Sequence, residues 1–290
     1  MSDFSKRLMT TIVTIPLVLA WLLVGKLFQS HWLIAAMAIG VAGIAAWEYT
    51  QMLQRNGILL HRWLFIASVA GVMLVYSFFQ GPEGDLGLWA ACILSIVAYL
   101  FDPDALRKTI AALGGLIYIP YLLHFFYPIY QAPGGLLYGV LALMMVWAYD
   151  IGAYLVGSIW GVHKLAPSIS PKKSWEGLIG GFLLTFATVS TLPVWGGWVH
   201  SLSSEAVEPL GEQFWYGGPS ALWHMLALAA IVSFFTQLGD LVESHMKRFA
   251  QVKDAGGLMP GHGGLLDRID GLLFALPAIY FYLHFVLKLV

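Results

Sequence analysis

Cysteine is almost absent from this 290-residue chain: Cys92, inside an apolar run, is its single thiol, which excludes a disulfide framework and a cysteine-ligated metal site. Charge is scarce as well. Only 11% of the residues are Asp, Glu, Lys or Arg, the formal net charge is −1, and no basic stripe marks a nucleic-acid binder. No internal repeat or low-complexity tract breaks the chain. His31, His61, His124, His200, His224 and His284 are scattered without metal-ligand spacing and read as interfacial or packing residues.

What fills the chain is apolar. Hydrophobic residues make up 59% of it, with 12 Trp, 13 Tyr and 17 Phe. Its mean hydropathy of +0.76 is too high for a water-soluble domain and points to an all-α, polytopic transmembrane helical bundle. Apolar windows separated by turn or charge clusters predict about nine spans, at 8–28, 31–54, 61–80, 86–101, 108–130, 135–160, 174–198, 221–247 and 270–289. The first window follows Lys6 and Arg7 but is long and lacks a small-residue cleavage site, so it reads as a retained helix rather than a signal peptide. Trp21, Trp32, Trp63 and Trp198, near span ends, read as an aromatic belt. Two regions follow: 1–130, about five spans with a lipid-facing and packing role, and 131–290, which carries the unusual loops.

The cations give this bundle a direction. Thirteen of the fifteen Lys and Arg residues, all but Lys26 and Lys288, fall in the N-terminal tail or the even-numbered loops. The odd-numbered loops carry Glu83 and Asp85, then Glu205, Glu208 and Glu212. The positive-inside bias therefore predicts a cytoplasmic N-terminus and an external C-terminus.

Two loops on the predicted cytoplasmic side hold most of the polar chemistry. In the sixth, Lys172 and Lys173 follow Pro171, with Ser170 or Ser174 available as a helix cap and Glu176 behind. Adjacent lysines serve as topogenic charge or, opposite acidic, glycine-rich elements, as ligands for phosphate oxygens. The eighth span leaves the membrane as a polar stripe, Asp240, Glu243, Ser244, Lys247 and Gln251 sharing one helical face. An ionised Asp240 near the membrane boundary needs a cation, a partner or water.

Beyond it comes Pro260-Gly261-His262-Gly263-Gly264, then Asp267, Arg268 and Asp270. Glycines let backbone N–H groups approach an anion, and a helix starting after them aims its positive end at the same place. Asp267 and Asp270, three apart, could bind a hard cation or pair with Arg268 and nearby lysines. Asp150 lies inside the sixth span on a side shared with Ala153, Tyr154, Gly157 and Gly161, a small-residue face suited to close packing; an intramembrane acid is also a candidate functional residue. Glu48 reads as a cap or anchor of the second span.

Ser244-x-x-Lys247-Arg248-x4-Lys253-Asp254-x-Gly256-x2-Met259-Pro260-Gly261-His262-Gly263-Gly264-x2-Asp267-Arg268-x-Asp270 resembles the diagnostic motif of the phosphatidate cytidylyltransferases, or CDP-diacylglycerol synthases. Met259 stands where the family has a bulky apolar residue. The SPKKSWEG segment, the GDLVES segment and the stretch around Asp150 resemble the family's in the same order, whereas the first 130 residues match only as a set of spans.

The resemblance implies transfer of a cytidylyl group from CTP to phosphatidic acid, giving CDP-diacylglycerol and pyrophosphate, with Mg2+ and a monovalent cation such as K+. It assigns the metal to Asp240 and Asp267. It implies catalytic roles for Asp240, Asp267, Lys172, Lys173 and Arg268, and substrate binding by Lys247, Arg248, Lys253, His262, Gly263, Gly264, Ser244 and Asp150. The expected setting is a bacterial inner membrane with the active site facing the cytoplasm. The reading is compatible with a homodimer.

Two alternatives stand beside it. One is a related CTP-dependent lipid transferase, such as an archaeal ether-lipid enzyme, or a polyprenol kinase. The other is an ion-coupled transporter with Asp150 and Asp240 on its pathway, which would place polar clusters on both membrane faces, whereas the strong clusters here share one.

Overall fold

The structure, a computed structural model, describes residues 3–79, 81–192, 219–258 and 263–290. Its elements are α1 (Asp3–Leu27), α2 (His31–Arg55), α3 (Arg62–Phe78), α4 (Pro82–Tyr99), α5 (Ala105–Leu116), α6 (Phe126–Gln131), α7 (Gly135–Trp160), β1 (Lys164–Ala166), β2 (Ser170–Ser174), α8 (Trp175–Ser190), α9 (Pro219–Phe249) and α10 (Leu266–Phe281). Among the described residues, five segments are long and apolar enough to cross a membrane: α2, Ala105–Gln131, α7, Ala221–Phe249 and Leu266–Val286. The 14–27 part of α1, α3 and α8 are shorter apolar helices. Glu205, Glu208, Glu212, Trp198, His200 and the end of the expected 174–198 span lie outside the described residues.

Local sequence explains the breaks. The expected 108–130 span is divided because Pro120 cannot donate an intrahelical hydrogen bond, and the backbone widens into a π turn over Ile117–Tyr121 between α5 and α6. In contrast, α7 has no interior proline and runs for 26 residues, about 39 Å at the helical rise. It starts after Gly134, whose φ of +75° suits glycine, and stops at Gly161.

The chain divides into two compact units. The first comprises 1–127 and 246–269. Its helices α2 to α5 pack in succession, and α2 buries Ala35, Ala38, Ala42, Ala45 and Ala46, small side chains that let neighbouring backbones approach. Along α4 and its C-cap, Leu86, Trp89, Ile93, Val97 and Leu100 recur at helical spacing and are each 56–67% exposed. A continuous apolar stripe of this kind suits contact with lipid rather than water.

The second unit comprises 128–245 and 270–290 and is built on the α7–α8 pair. Of the small face expected around Asp150, Ala153 and Gly157 do meet α8, but the close approach centres on Gly152, and Asp150 itself is exposed. A Cβ on Gly152 would lie 2.5 Å from the Gly180 carbonyl oxygen, one on Gly181 2.5 Å from the Tyr149 ring, and one on Gly177 3.0 Å from the Ala153 carbonyl oxygen. Tyr154, expected on that face, points away and is 72% exposed. The expected all-α architecture needs one correction: β1 and β2 form an antiparallel hairpin, pairing Lys164 with Ser174 and Ala166 with Ser170. Pro171 is tolerated there because a two-stranded ribbon leaves an edge where a missing donor costs no ladder bond.

Candidate active site

In the second unit the alternation of a strand separates the two neighbouring lysines of β2. Lys172 is exposed, whereas Lys173 is largely buried and its Nζ lies 2.8 Å from Asp240 Oδ2. The strand runs straight into α8, where Ser174 is the N-cap and its Oγ accepts a hydrogen bond from the Gly177 N–H at 3.1 Å. Glu176 accepts from the His163 backbone N–H at 3.1 Å and meets its ring Nδ1 at 2.5 Å. That pairing clasps the hairpin to the helix and holds Lys173 in position.

Asp240 lies on α9, facing α10. Its carboxyl is hydrogen-bonded with that of Asp270, which also lies within electrostatic reach of Glu243 and Asp150. Glycine permits this approach, since a Cβ on Gly239 would collide with the Asp270 carbonyl oxygen. One helical turn from Asp240, the buried Tyr149 hydroxyl donates to Gln237 Oε1 at 2.8 Å, tying α7 to α9. Asp270 and Glu243 are both buried, and Asp150 is exposed. The sequence pattern placed Glu243 on the polar stripe without giving it a role, and read Asp270, one turn beyond Asp267, as able with it to bind a hard cation or pair with nearby cations. Their signal was helical spacing, which marks a shared face without showing what it meets.

The Asp240–Asp270 carboxyl pair, with Lys173 against Asp240 and with Glu243 and Asp150 within electrostatic reach of Asp270, forms an oxygen-rich donor set that attracts a hard cation. Among the described residues, however, no three His, Cys, Asp or Glu side chains are arranged to hold one metal ion. The Asp240–Asp270 pair is a donor set of the kind that suits Mg2+, which is commonly held by one or two carboxylates with water and substrate phosphate in its other positions.

In the first unit, Asp267 is the centre of a folded loop. Lys247 Nζ lies 2.6 Å from its Oδ1, while its Oδ2 accepts from the backbone N–H groups of Ala255 at 2.9 Å and Gly264 at 2.7 Å. The bond back to Gly264, three residues earlier, is the glutamate half of a capping box made by an aspartate. Gly263 has φ +82°, and a Cβ there would sit 2.7 Å from Asp267 Oδ2, so conformation and space both require glycine.

The glycine-rich turn was expected to offer its N–H groups to phosphate. The structure uses several of them internally: besides Gly264, the Leu265 and Leu266 N–H groups donate to Glu48 of α2 at 3.0 and 2.8 Å. Glu48 therefore caps α10, not its own span as expected from sequence.

Arg248, Lys253 and Arg268 are exposed and Ser244 is partly buried, while His262 lies outside the described residues. Gln251 does not continue the polar stripe, because α9 ends at Phe249. Gln251 has φ +55°, and the Val252 and Gln251 N–H groups bond back to the Lys247 and Arg248 carbonyls in a Schellman ending. Also in this unit, a groove of about 600 Å³ is lined by Tyr49, Met52, Leu106, Ile110 and Phe249, with Arg107 among its polar members. Arg107 donates to the Asn56 carbonyl at 3.0 Å.

The sequence profile of the Cytidylyltransferase family matches residues 5–286. A phosphatidate cytidylyltransferase of Bacillus subtilis is 32% identical over 98% of both chains. One from Thermotoga maritima is 32% identical over 97% of this chain and 96% of its own. One from Staphylococcus saprophyticus is 41% identical over 50% of this chain and 48% of its own. Matched from end to end by the family profile and by full-length relatives, the chain belongs to the Cytidylyltransferase family.

Proposed function

We propose that this protein is an integral membrane nucleotidyltransferase that makes CDP-diacylglycerol from CTP and phosphatidate. The observation that carries the reading is the Lys173–Asp240 pair set beside Asp270, a cation and a carboxylate cluster at the end of apolar helices in a chain of this family. A phosphate oxygen of phosphatidate attacks the α-phosphorus of CTP, a P–O bond forms, the bond between that phosphorus and the bridging oxygen breaks, and pyrophosphate leaves. The nucleophile is already anionic, so no strong general base is needed. The difficulty is bringing two polyanions together, and positioned cations relieve it.

Lys173, fixed by the hairpin, has the setting to neutralise a phosphate oxygen. Lys172, Lys247, Arg248, Lys253 and Arg268 are the other cations proposed to serve the phosphates. Asp240, with Asp270 beside it, would hold Mg2+, and Asp267 is a second proposed metal carboxylate, carried over from the family resemblance. Bound there, Mg2+ would offset phosphate charge and align the in-line displacement. A monovalent cation such as K+ is proposed alongside it.

The membrane reading is supported by the apolar helices and the exposed stripe of α4. We take the full count as about nine spans, with the N-terminus and the charged loops in the cytoplasm, where CTP is available. The apolar groove beside Arg107 gives phosphatidate's acyl chains a suitable surface. Purified protein incubated with labelled CTP, phosphatidate and Mg2+ should move label into the lipid extract; no labelled lipid from folded protein would refute the proposal.

A further inference from the structure

We infer that Glu48, from the N-terminal half of the chain, is a positioning residue for Asp267, acting by capping α10 from a different helix. The inference rests on the proposed function insofar as Asp267 serves the reaction; the capping itself is a matter of geometry.

Glu48 is 3% exposed within α2, a costly place for a carboxylate unless its oxygens are engaged. Both are. Oε1 accepts from the Leu265 N–H at 3.0 Å and Oε2 from the Leu266 N–H at 2.8 Å. These donors sit at the start of α10, Leu265 just before it and Leu266 its first residue, where helix geometry leaves N–H groups without an intrahelical acceptor and the backbone dipole favours negative charge.

The loop is shaped around this carboxylate. A Cβ on Gly264 would lie 2.6 Å from Glu48 Oε2, and one on Gly256 would collide with Oε1. Two glycines of the charged loop thus make room for a side chain more than two hundred positions away.

The division of donors explains what the cap does. Ala255 and Gly264 give their N–H groups to Asp267, while Leu265 and Leu266 give theirs to Glu48. Without Glu48, two donors next to Asp267 lose their acceptor, and the Asp267 carboxylate becomes the nearest anion able to turn toward them. Its Oδ1, now aimed at Lys247, would be redirected. Glu48 thereby fixes the rotamer of Asp267 without meeting substrate.

The test uses Glu48→Gln, which keeps size and shape but places an amide NH2 against one of two N–H donors, and Glu48→Asp, which keeps charge but shortens the reach. Hydrogen exchange at the Leu265 and Leu266 amides of the full chain in detergent should speed up by about tenfold in Glu48→Gln, as loss of one hydrogen bond implies, with exchange along α7 unchanged. Turnover should fall by about tenfold at saturating CTP with KM moving less than about threefold, as misplacement of a reacting group predicts. In an Asp267→Asn background, Glu48→Gln should cost little further activity, because both changes act through one group.

Wild-type exchange rates at Leu265 and Leu266 in Glu48→Gln would overturn the cap. Faster exchange with unchanged turnover, or additive losses in the double variant, would overturn the positioning role. If the wild type makes no CDP-lipid at all, the exchange result still decides the cap, so failure of the proposed function is distinguishable from failure of this inference.

Discussion

Lys172 and Lys173 are identical in chemistry and adjacent in sequence, yet the structure gives them different surroundings. Lys173 is largely buried against Asp240 and Lys172 is exposed. We expect Lys173→Gln to lose about 2–4 kcal/mol of transition-state stabilisation and Lys172→Gln clearly less, since a cation excluded from water acts more strongly on charge. The measurement is kcat/KM of properly inserted single variants and the double. Unchanged kinetics in all three would return both lysines to a purely topogenic role. Replacing Asp240 or Asp267 with Asn should lower turnover by at least about a hundredfold, because each change removes a proposed metal-binding charge. Near-wild-type activity across Mg2+ concentrations would remove that residue from the site. The candidate residues were legible from sequence because their chemistry is rare in an oily chain. Which of two lysines turns inward was not, since that depends on strand phase. Nor was the partner of Glu48, because no local pattern reports a contact between residues more than two hundred positions apart.

Among the elements, α7 matched its predicted limits of 135–160 because glycines bound it and nothing interrupts it. The β1–β2 hairpin was hidden: strands of three and five residues carry too little alternation to be read beside Pro171. The hairpin's exit is held by the Ser174 cap, and Ser174→Ala should cost about 1 kcal/mol, seen as a lower Tm with the helical content of the folded protein retained. The α7–α8 contact is tighter. A Cβ on Gly180 would collide with Val156, so Gly180→Ala should destabilise by about 1–3 kcal/mol through overpacking. An unchanged Tm for Gly180→Ala would mean that the two helices are less closely packed than described here. The glycines of the charged loop were read as places where backbone comes close to a phosphate. The anions found there are Asp267 and Glu48, the protein's own carboxylates.

For the whole molecule, the segregation of thirteen cations predicts a topology that the mechanism also requires. In a Cys92→Ala background, single cysteines at Glu208 and Val290 should react with an impermeant maleimide in intact spheroplasts, and those at Lys173 and Asp254 only after permeabilisation. Labelling at Asp254 from outside would separate the charged loop from cytosolic CTP. The reaction itself is tested most directly by following two phosphorus positions of CTP at once. Purified protein with phosphatidate and Mg2+ should carry label from [α-32P]CTP into the lipid extract and release label from [γ-32P]CTP as pyrophosphate, in equal amounts. Transfer of the γ-label to lipid would mean a kinase, and no lipid label from either would mean no transferase; both results would contradict cytidylyl transfer.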